Sequence, residues 1–425
     1  MWVALLVLTA LSVALRTGAL DTGYWIDEAI AVGIASHDPA DIPGLLRQDG
    51  SPPLYYLLLH AWMSLAGTGE AATRSLSLVF AAVAVPTAWW AAGARAAAFV
   101  AVCPLLTYYA QEARMYTLVA VLSLVATAAF VRRRPVVMVV ALTALLYTHT
   151  WGIFLAIVLI GLSHNRLPLA LAVGLLYLPW IPSLVFQALH TGAPWSQHPS
   201  VLWLVPVALL VAWRPRDELV LAAAAGIALA WLASQISPAW APRYLFVFFG
   251  PLLLVLARRP AWVVAPLAVA VVLAGASTKS NARAVAVSAA QSTRPGDLVV
   301  CTQPEQVPVL HRYLPAGVRY LTPLGTPADP SFTDWRDALP RLRAGRAERV
   351  LKPALARLEP GRRVILVMPV ARRAPSPWAR AVRRRTLEWR AALNADPRLR
   401  WAGRTSYPDP AQFRSAVRAE IYDLE

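Results

Sequence analysis

The chain has 425 residues, of which 58% are hydrophobic and 15% are charged. A soluble domain contains about 45–50% apolar residues, so the composition excludes an ordinary soluble enzyme over the whole length. The net charge is +17, and residues 279–425 carry most of it, with 26 Lys and Arg against 13 Asp and Glu. The two cysteines, Cys103 and Cys301, lie far apart and form neither a metal-ligand spacing nor a disulfide framework.

Residues 1–278 form a series of long apolar runs, and residues 279–425 have the composition of a water-soluble segment. We therefore predict a polytopic α-helical membrane protein with a small C-terminal α/β domain. Residues 1–20 lack a basic start and a small-residue cleavage site, so we expect a retained first span. About eleven spans are predicted, near residues 2–20, 74–92, 96–111, 115–131, 135–149, 151–163, 167–186, 201–213, 217–234, 243–257 and 261–278.

The distribution of basic residues indicates which loops lie on which side of the membrane. They fall in alternate short loops, which the positive-inside rule places in the cytoplasm. The other loops and the C-terminal domain then lie outside, provided that the apolar stretch 52–67 rests in the outer interface instead of crossing the membrane. The cytoplasmic loops contain Arg95, Arg132, Arg133, Arg134, Arg166, Arg214, Arg216, Arg258 and Arg259.

In the C-terminal domain, residues 297–303, 318–323 and 363–371 favour buried strands, and residues 335–345 and 386–396 favour amphipathic helices. We find no nucleotide fingerprint there. Without zinc spacings or an aromatic-basic RNA motif, nucleic acid is not expected as a partner. Two interpretations of the basic charge stay open, namely attraction to anionic lipid headgroups and an arginine-rich solvated surface.

Six of the ten acidic residues of the membrane half lie in the first outer loop, residues 21–52. Asp27 and Glu28 differ from the others because an apolar, helix-like sequence surrounds them. Partial desolvation makes a carboxylate there a stronger base, whereas the simpler interpretation is that adjacent acids favour a helix N-terminus. Asp49 precedes Gly50 and two prolines, which can hold it toward the same cavity as Asp27; a helix cap is the alternative.

Other polar residues are predicted at the outer ends of the spans. Arg114, in YYAQEARMYTL, is suited to a phosphate, which arginine binds bidentately. Glu112, two residues earlier, either supports this site or pairs with Arg114. Arg243, in PRYLFVFFGP, can serve the same site or act as a snorkelling anchor. His149, in YTHTWG, fits a hydrogen-bonding residue at a helix end, and we split the apolar stretch 135–163 there.

These motifs occur in a recognisable order. YWIDEA, DGSPPLYYLLLHAWMSLAG, ATRSLSLVFAAVAVP, YYAQEARMYTL and PRYLFVFFGP together resemble the GT-C class of integral-membrane glycosyltransferases, over about residues 1–260. Within that class, the chain is similar to the bacterial protein-mannosyltransferase-like family of the glycosyltransferase family 39 type. The resemblance implies a polyprenyl-phosphate-linked sugar as co-substrate. It also implies an acceptor outside the cytoplasm, whether protein, lipid or polysaccharide, and a multi-pass location in the plasma membrane.

The resemblance also implies roles for individual residues. Asp27 matches the catalytic carboxylate of the family, and Glu28 is the second acid of that pair, positioning the acceptor or the loop. The donor-phosphate site maps to Arg114, Arg243 and Tyr244. Supporting positions are Asp49, Glu112 and His149.

Transfer from a lipid phosphate needs a base for the acceptor hydroxyl and cations for the departing phosphate. Asp27 and the two arginines meet these needs without a cofactor or a metal, and a single displacement inverts the anomeric centre; a divalent ion bound by the acidic loop stays open. The alternatives are a transporter or flippase of envelope lipids, a non-catalytic scaffold that binds envelope polymers, and another envelope-glycan transferase that uses a diphosphate donor.

Overall fold

The computed structural model describes residues 2–260, 264–274, 278–370, 374–405, 413 and 415–425. The described residues of its N-terminal region, 2–260 and 264–274, are mainly helical, because long apolar runs can satisfy their backbone hydrogen bonds internally only as helices or closed barrels. The helices are α1 (Trp2–Ala14), α2 (Ile26–Ala35), α3 (Ile42–Asp49), α4 (Leu54–Ala66), α5 (Glu70–Ala92), α6 (Ala94–Ala101), α7 (Pro104–Ala110), α8 (Tyr116–Val131), α9 (Pro135–Thr148), α10 (Gly152–Leu162), α11 (Arg166–Tyr177), α12 (Ile181–His190), α13 (Val205–Trp213), α14 (Glu218–Ile236), α15 (Phe249–Leu256) and α16 (Val264–Ala274).

Within the part of the chain that the structure describes, three helices are long and apolar enough to cross a membrane, namely α5, α14 and the rod Arg166–His190 that α11 and α12 form through a 3₁₀ turn. Shorter apolar helices include α1, α4, α8, α9 and α10. The predicted count of eleven spans therefore stays a prediction. The predicted interfacial segment 52–67 corresponds to α4.

Two features differ from the predicted helical pattern. The predicted span 96–111 is two short helices, α6 and α7, because Pro104 removes a backbone donor and disfavours helical dihedrals at Cys103. Within the acidic loop 21–52, α2 confirms the helix-like sequence expected around Asp27 and Glu28, whereas α3 was not predicted. The predicted break at His149 is confirmed: α9 ends at Thr148, and His149 is extended with φ −155° and ψ 123°.

The C-terminal region, from residue 278 onward, contains a five-stranded mixed sheet, whose strands lie in the order β2 (Arg319–Leu321), β1 (Leu298–Cys301), β3 (Arg363–Pro369), β5 (Val417–Leu424) and β4 (Leu399–Arg404). Strands β1, β2 and β3 are parallel, and β5 pairs antiparallel with β3 and β4. The three predicted strands are confirmed, whereas β4 and β5 were not predicted. The elements are α17 (Ala282–Ala290), β1 (Leu298–Cys301), α18 (Val307–Tyr313), β2 (Arg319–Leu321), α19 (Ala338–Ala344), α20 (Lys352–Ala356), β3 (Arg363–Pro369), α21 (Pro377–Ala395), β4 (Leu399–Arg404) and β5 (Val417–Leu424).

The two regions share one hydrophobic core, in which Ile34 of α2 and Val309 of α18 are both fully buried. A polar contact also joins the two regions: His37 Nε2 lies 2.7 Å from Asp329 Oδ2. Gly33 marks the closest approach. A Cβ at this position would lie 1.8 Å from the carbonyl oxygen of Ser331, so α2 fits against the C-terminal region only with glycine there.

Candidate active site

A cavity of about 520 Å³ lies where α2, α3, the loop before α8 and the C-terminal region meet. Of the eight site residues predicted from the sequence, six line it: Asp27, Asp49, Arg114, His149, Arg243 and Tyr244. These residues come from segments spread over more than 200 positions of the chain. The fold therefore brings together two carboxylates, two guanidinium groups, an imidazole and a phenol around one space.

Asp27 lies in the first turn of α2, where a negative charge interacts favourably with the helix dipole. Its side chain is 22% exposed, so it is accessible from the cavity. Oδ2 of Asp27 lies 3.6 Å from Nη2 of Arg243 and accepts no hydrogen bond within the described residues. Asp27 is thus ion-paired but keeps an oxygen without a hydrogen-bond donor, as a base for an incoming hydroxyl requires.

Arg114 contacts the backbone of Asp27 from the loop between α7 and α8. Its Nη1 donates to the backbone oxygen of Asp27 at 3.2 Å and to the Tyr56 hydroxyl at 3.5 Å. The hydroxyl of Ser77 donates to the Arg114 carbonyl, which fixes the loop. Nε of Arg114 has no hydrogen-bond partner in the described part of the chain. Part of the planar donor fork is therefore free for an anion.

Arg243 lies in a 3₁₀ stretch, Pro242–Phe248, that leads into α15. Its guanidinium carbon is 5.4 Å from the ring centroids of both Trp195 and Tyr244. These cation–π contacts hold the head group in place while its Nε has no hydrogen bond among the described residues. Arg114 and Arg243 thus place two positive charges at the cavity, and each guanidinium group has an N–H that makes no hydrogen bond within the described residues.

His149 is buried between α9 and α10, and its ring lies 4.7 Å from that of Tyr244. Its Nδ1 accepts from the backbone N–H of Trp151 at 3.1 Å. Because Nδ1 accepts this hydrogen bond, it carries no proton, so the imidazole is the neutral tautomer with its proton on Nε2. It can therefore donate a hydrogen bond from Nε2.

Asp49 is the last residue of α3, before Gly50 in the left-handed conformation with φ 99°. Burial raises the pKa of Asp49, while a hydrogen bond with Ser51 and the charge of Arg114 oppose the shift. Asp49 and Asp27 line the same cavity, as the sequence suggested, and Asp49 caps no helix N-terminus.

Glu28 and Glu112 lie outside the cavity lining. Both carboxylate oxygens of Glu28 accept from Arg74, and Oε1 also accepts from the backbone N–H of Ala113. Of the two alternatives for Glu112, the pairing with Arg114 is not found, because Glu112 forms an ion pair with Lys279. The Arg114 backbone N–H instead donates to the Glu112 carbonyl in a tight turn, with the two side chains pointing to different partners.

Sequence reasoning missed several residues of this region. Glu305 and Trp335, from the C-terminal region, line the cavity, and Trp195 lies against Arg243. Arg74 could have been suspected, since a charge near the start of an apolar helix usually has a partner. Among the residues that the structure describes, no three His, Cys, Asp or Glu side chains are close enough to hold a metal ion.

The structure aligns with two crystal structures of ArnT from Cupriavidus metallidurans. The apo form matches with a TM-score of 0.59 and 16% identity, over 98% of this chain and 97% of that chain. The form bound to undecaprenyl phosphate matches with a TM-score of 0.59 and 14% identity, over 98% of both chains. The chain has a GT-C fold.

The GT-C class predicted from the sequence is thus confirmed at the level of the fold, across both regions of the chain. The ArnT structures represent a different branch of this class from the protein-mannosyltransferase-like family that the motifs resemble. No protein family and no curated protein matches the sequence itself.

Proposed function

We propose that this protein transfers a sugar from a polyprenyl-phosphate-linked donor to an acceptor hydroxyl. The observation that carries the proposal is the cavity itself, in which Asp27 lies beside Arg114 and Arg243. The ArnT structure of the same fold binds undecaprenyl phosphate, which supports a lipid phosphate as the group that the arginines hold.

In the proposed reaction, Asp27 takes the proton of the acceptor hydroxyl while that oxygen bonds to the anomeric carbon. The bond between this carbon and the phosphate oxygen breaks, and the electron pair leaves with the phosphate. Arg114 and Arg243 stabilise its growing negative charge, which is larger in the transition state than in the donor. One displacement inverts the anomeric centre and requires no metal.

An apolar groove of about 380 Å³ has the chemistry to hold a polyprenyl tail, which supports a lipid-linked donor. The groove is lined by Pro53, Leu54, Leu57, Val140, Thr143, Ala144, Tyr147 and Leu176. It lies close to the cavity along the chain at two places: Pro52 lines the cavity and Pro53 the groove, while His149, just after α9, lines the cavity and Tyr147 of α9 lines the groove. A lipid whose phosphate is at the arginines can extend its chain into this groove and then into the bilayer.

The remaining predicted residues take supporting roles. Tyr244 and neutral His149 form the wall that orients Arg243. Asp49 adds a second carboxyl close to Asp27 for hydrogen bonding to the acceptor or the sugar. Glu28 positions α2 through Arg74, and Glu112 joins the loop between α7 and α8 to Lys279 of the C-terminal region.

We place the cavity and the C-terminal region on the outer face of the plasma membrane, following the distribution of arginines in the loops. The donor sugar is mannose or a similar hexose or pentose. The acceptor is an extracytoplasmic protein, lipid or polysaccharide.

The test compares wild type with Asp27→Asn in lipid nanodiscs. Radiolabelled undecaprenyl-phosphate sugars are supplied with cell-envelope acceptors, and both donor binding and release of undecaprenyl phosphate are measured. We expect wild type to consume one donor, and the mutant to bind it without turnover. Asp21→Asn, an exposed acid of the same loop, is the matched control and should retain activity. Turnover by Asp27→Asn at the wild-type rate would remove Asp27 as the base, and absence of binding by wild type would remove the proposal.

A further inference from the structure

Glu305 brings a carboxyl group from the C-terminal region to the cavity. It lies in a 3₁₀ turn, Pro304–Gln306, just after the carboxyl end of β1. Ligands of open α/β sheets bind beyond the carboxyl ends of parallel strands. Glu305 is only 6% exposed, yet it lines the same cavity as Asp27.

The two carboxylate oxygens of Glu305 differ in the hydrogen bonds that they accept. Oε1 accepts from Nε2 of Gln303 and from Nε1 of Trp378, both at 2.8 Å. Oε2 is buried and has no hydrogen-bond partner in the described part of the chain. A buried polar atom without a partner is costly, and a bound ligand can supply that partner.

The charge state of Glu305 fits a neutral, hydroxylated ligand. Burial raises the pKa of Glu305 and the negative charge of Asp27 adds to the effect, while hydrogen bonds from Gln303 and Trp378 oppose it. The carboxyl group therefore carries a proton more readily than an exposed glutamate. Oε2 can donate when protonated and accept when ionised, and a sugar hydroxyl can complement either state.

We propose that Glu305 hydrogen-bonds a hydroxyl of the glycosyl group on the lipid donor and so determines which sugar is accepted. This inference rests on the proposed function. With the phosphate at Arg114 and Arg243 and the tail in the groove at Pro53, the glycosyl group occupies the part of the cavity near Asp27 and Glu305. The C-terminal region thereby contributes a specificity-determining residue to a site whose other charged side chains come from the N-terminal region.

The experiment measures binding alone. Purified full-length protein in nanodiscs is titrated with undecaprenyl phosphate bearing mannose, with the same lipid bearing arabinose, and with undecaprenyl phosphate without a sugar. We expect wild type to bind at least one glycosylated lipid more tightly than the bare lipid. This advantage is the ratio of the affinity for the glycosylated lipid to the affinity for the bare lipid. Glu305→Met should reduce the ratio roughly tenfold, which is the effect of losing one good hydrogen bond, without changing the affinity for the bare lipid. Glu305→Gln, which keeps a donor at this position, should retain part of the advantage.

Two further variants make the result decisive. Glu420→Gln changes another buried carboxylate of the same region that does not line the cavity, and should match wild type. Trp378→Phe removes one hydrogen bond that orients Glu305 and should lower the sugar-dependent advantage at least threefold even if Glu305→Met fails to fold. An unchanged advantage in the folded Glu305 and Trp378 variants overturns the inference, as does equal binding of bare and glycosylated lipids by wild type. If wild type binds no undecaprenyl phosphate at all, the proposed function fails as well.

Discussion

Arg74 holds both carboxylate oxygens of Glu28, with Nε to Oε1 and Nη2 to Oε2 each at 2.7 Å, and neither side chain is more than 2% exposed. Nη1 of Arg74 also donates to the carbonyl of Leu20, so the ion pair connects α2 and α5 with the loop that follows α1. Neighbouring residues of a helix point about 100° apart, which is why Asp27 can face the cavity while Glu28 faces Arg74.

The two adjacent acids should therefore respond differently to neutralisation. Glu28→Gln leaves Arg74 as a buried charge without its counterion, and we expect a loss of about 3–5 kcal/mol in unfolding free energy. Asp27→Asn should cost clearly less, because Asp27 is partly exposed and its contact with Arg243 is 3.6 Å long. Thermal unfolding of the two variants in nanodiscs measures the difference. Equal melting temperatures would show that Glu28 and Arg74 do not form a structural pair.

This division of roles illustrates what the sequence could and could not predict. The helix break at His149 and the strands β1 to β3 were predictable, because proline, polar residues and short apolar runs act locally. The partner of Glu28 lies 46 residues away, and no local pattern identifies it. Glu305 likewise follows a proline in a polar turn, and only the packing of β1 against the N-terminal region brings it to the cavity.

The unpredicted strands have a similar explanation. Four of the six residues of β4 are exposed, and it contains two arginines and a glycine, so it lacks the alternation of a half-buried strand. It forms the edge of the sheet and depends on β5 for its hydrogen bonds. Pairing between distant segments, rather than local preference, determines these elements.

The two arginines of the cavity should govern affinity for the lipid phosphate. Arg243→Gln or Arg114→Gln removes a charge-assisted contact worth about 2 kcal/mol, so binding of undecaprenyl phosphate should weaken roughly 30-fold. Arg47→Gln is the matched control, since Arg47 lies on α3 against Phe186 and does not line the cavity. Microscale thermophoresis in nanodiscs, with undecaprenol as a ligand that lacks phosphate, gives the measurement. Wild-type affinity in both variants would place the phosphate elsewhere.

The apolar groove should be required for long lipid chains. Ala144→Trp fills it, and we expect loss of undecaprenyl phosphate binding while a ten-carbon polyprenyl phosphate still binds, because the shorter chain extends less far. Val136→Trp, on the exposed side of the same helix, is the control. If Ala144→Trp weakens both lipids equally, or neither, the tail does not occupy the groove.

Acid should weaken the contact between α2 and the C-terminal region at Asp329. Burial opposes the shift, but hydrogen bonds from Ser331 and His37 lower the pKa of Asp329 below its usual value. A lowered carboxyl pKa contributes stability above the pKa of the unfolded chain, and this contribution disappears as the pH falls through the folded-state pKa. Asp329→Asn should thus lower the melting temperature at pH 7, and this effect should shrink steadily as the pH falls through the acidic range in which Asp329 becomes protonated. An effect that stays the same over the whole acidic range would mean that the ionised form is not what stabilises this contact.

The two sides of the membrane in the predicted topology can be tested by labelling one position on each side. Arg133→Cys lies in a predicted cytoplasmic loop, and Leu387→Cys lies on α21 with 62% of its surface exposed. In intact cells expressing a Cys103→Ser, Cys301→Ser background, a membrane-impermeant maleimide should label position 387 and leave position 133 unlabelled until the cells are opened. Labelling of both positions, or of neither, in intact cells would contradict the predicted sidedness.

The position of Glu305 and Trp335 in the cavity wall has a consequence for biosynthesis. A ribosome that has released the first 274 residues has already supplied Asp27 and both arginines, but the wall formed by the C-terminal region does not yet exist. Because the Ser331 backbone lies directly against Gly33 of α2, this contact and the cavity wall can form only after the C-terminal region has folded. We therefore expect a chain that ends at residue 274 to carry Asp27 and both arginines without a complete cavity around them.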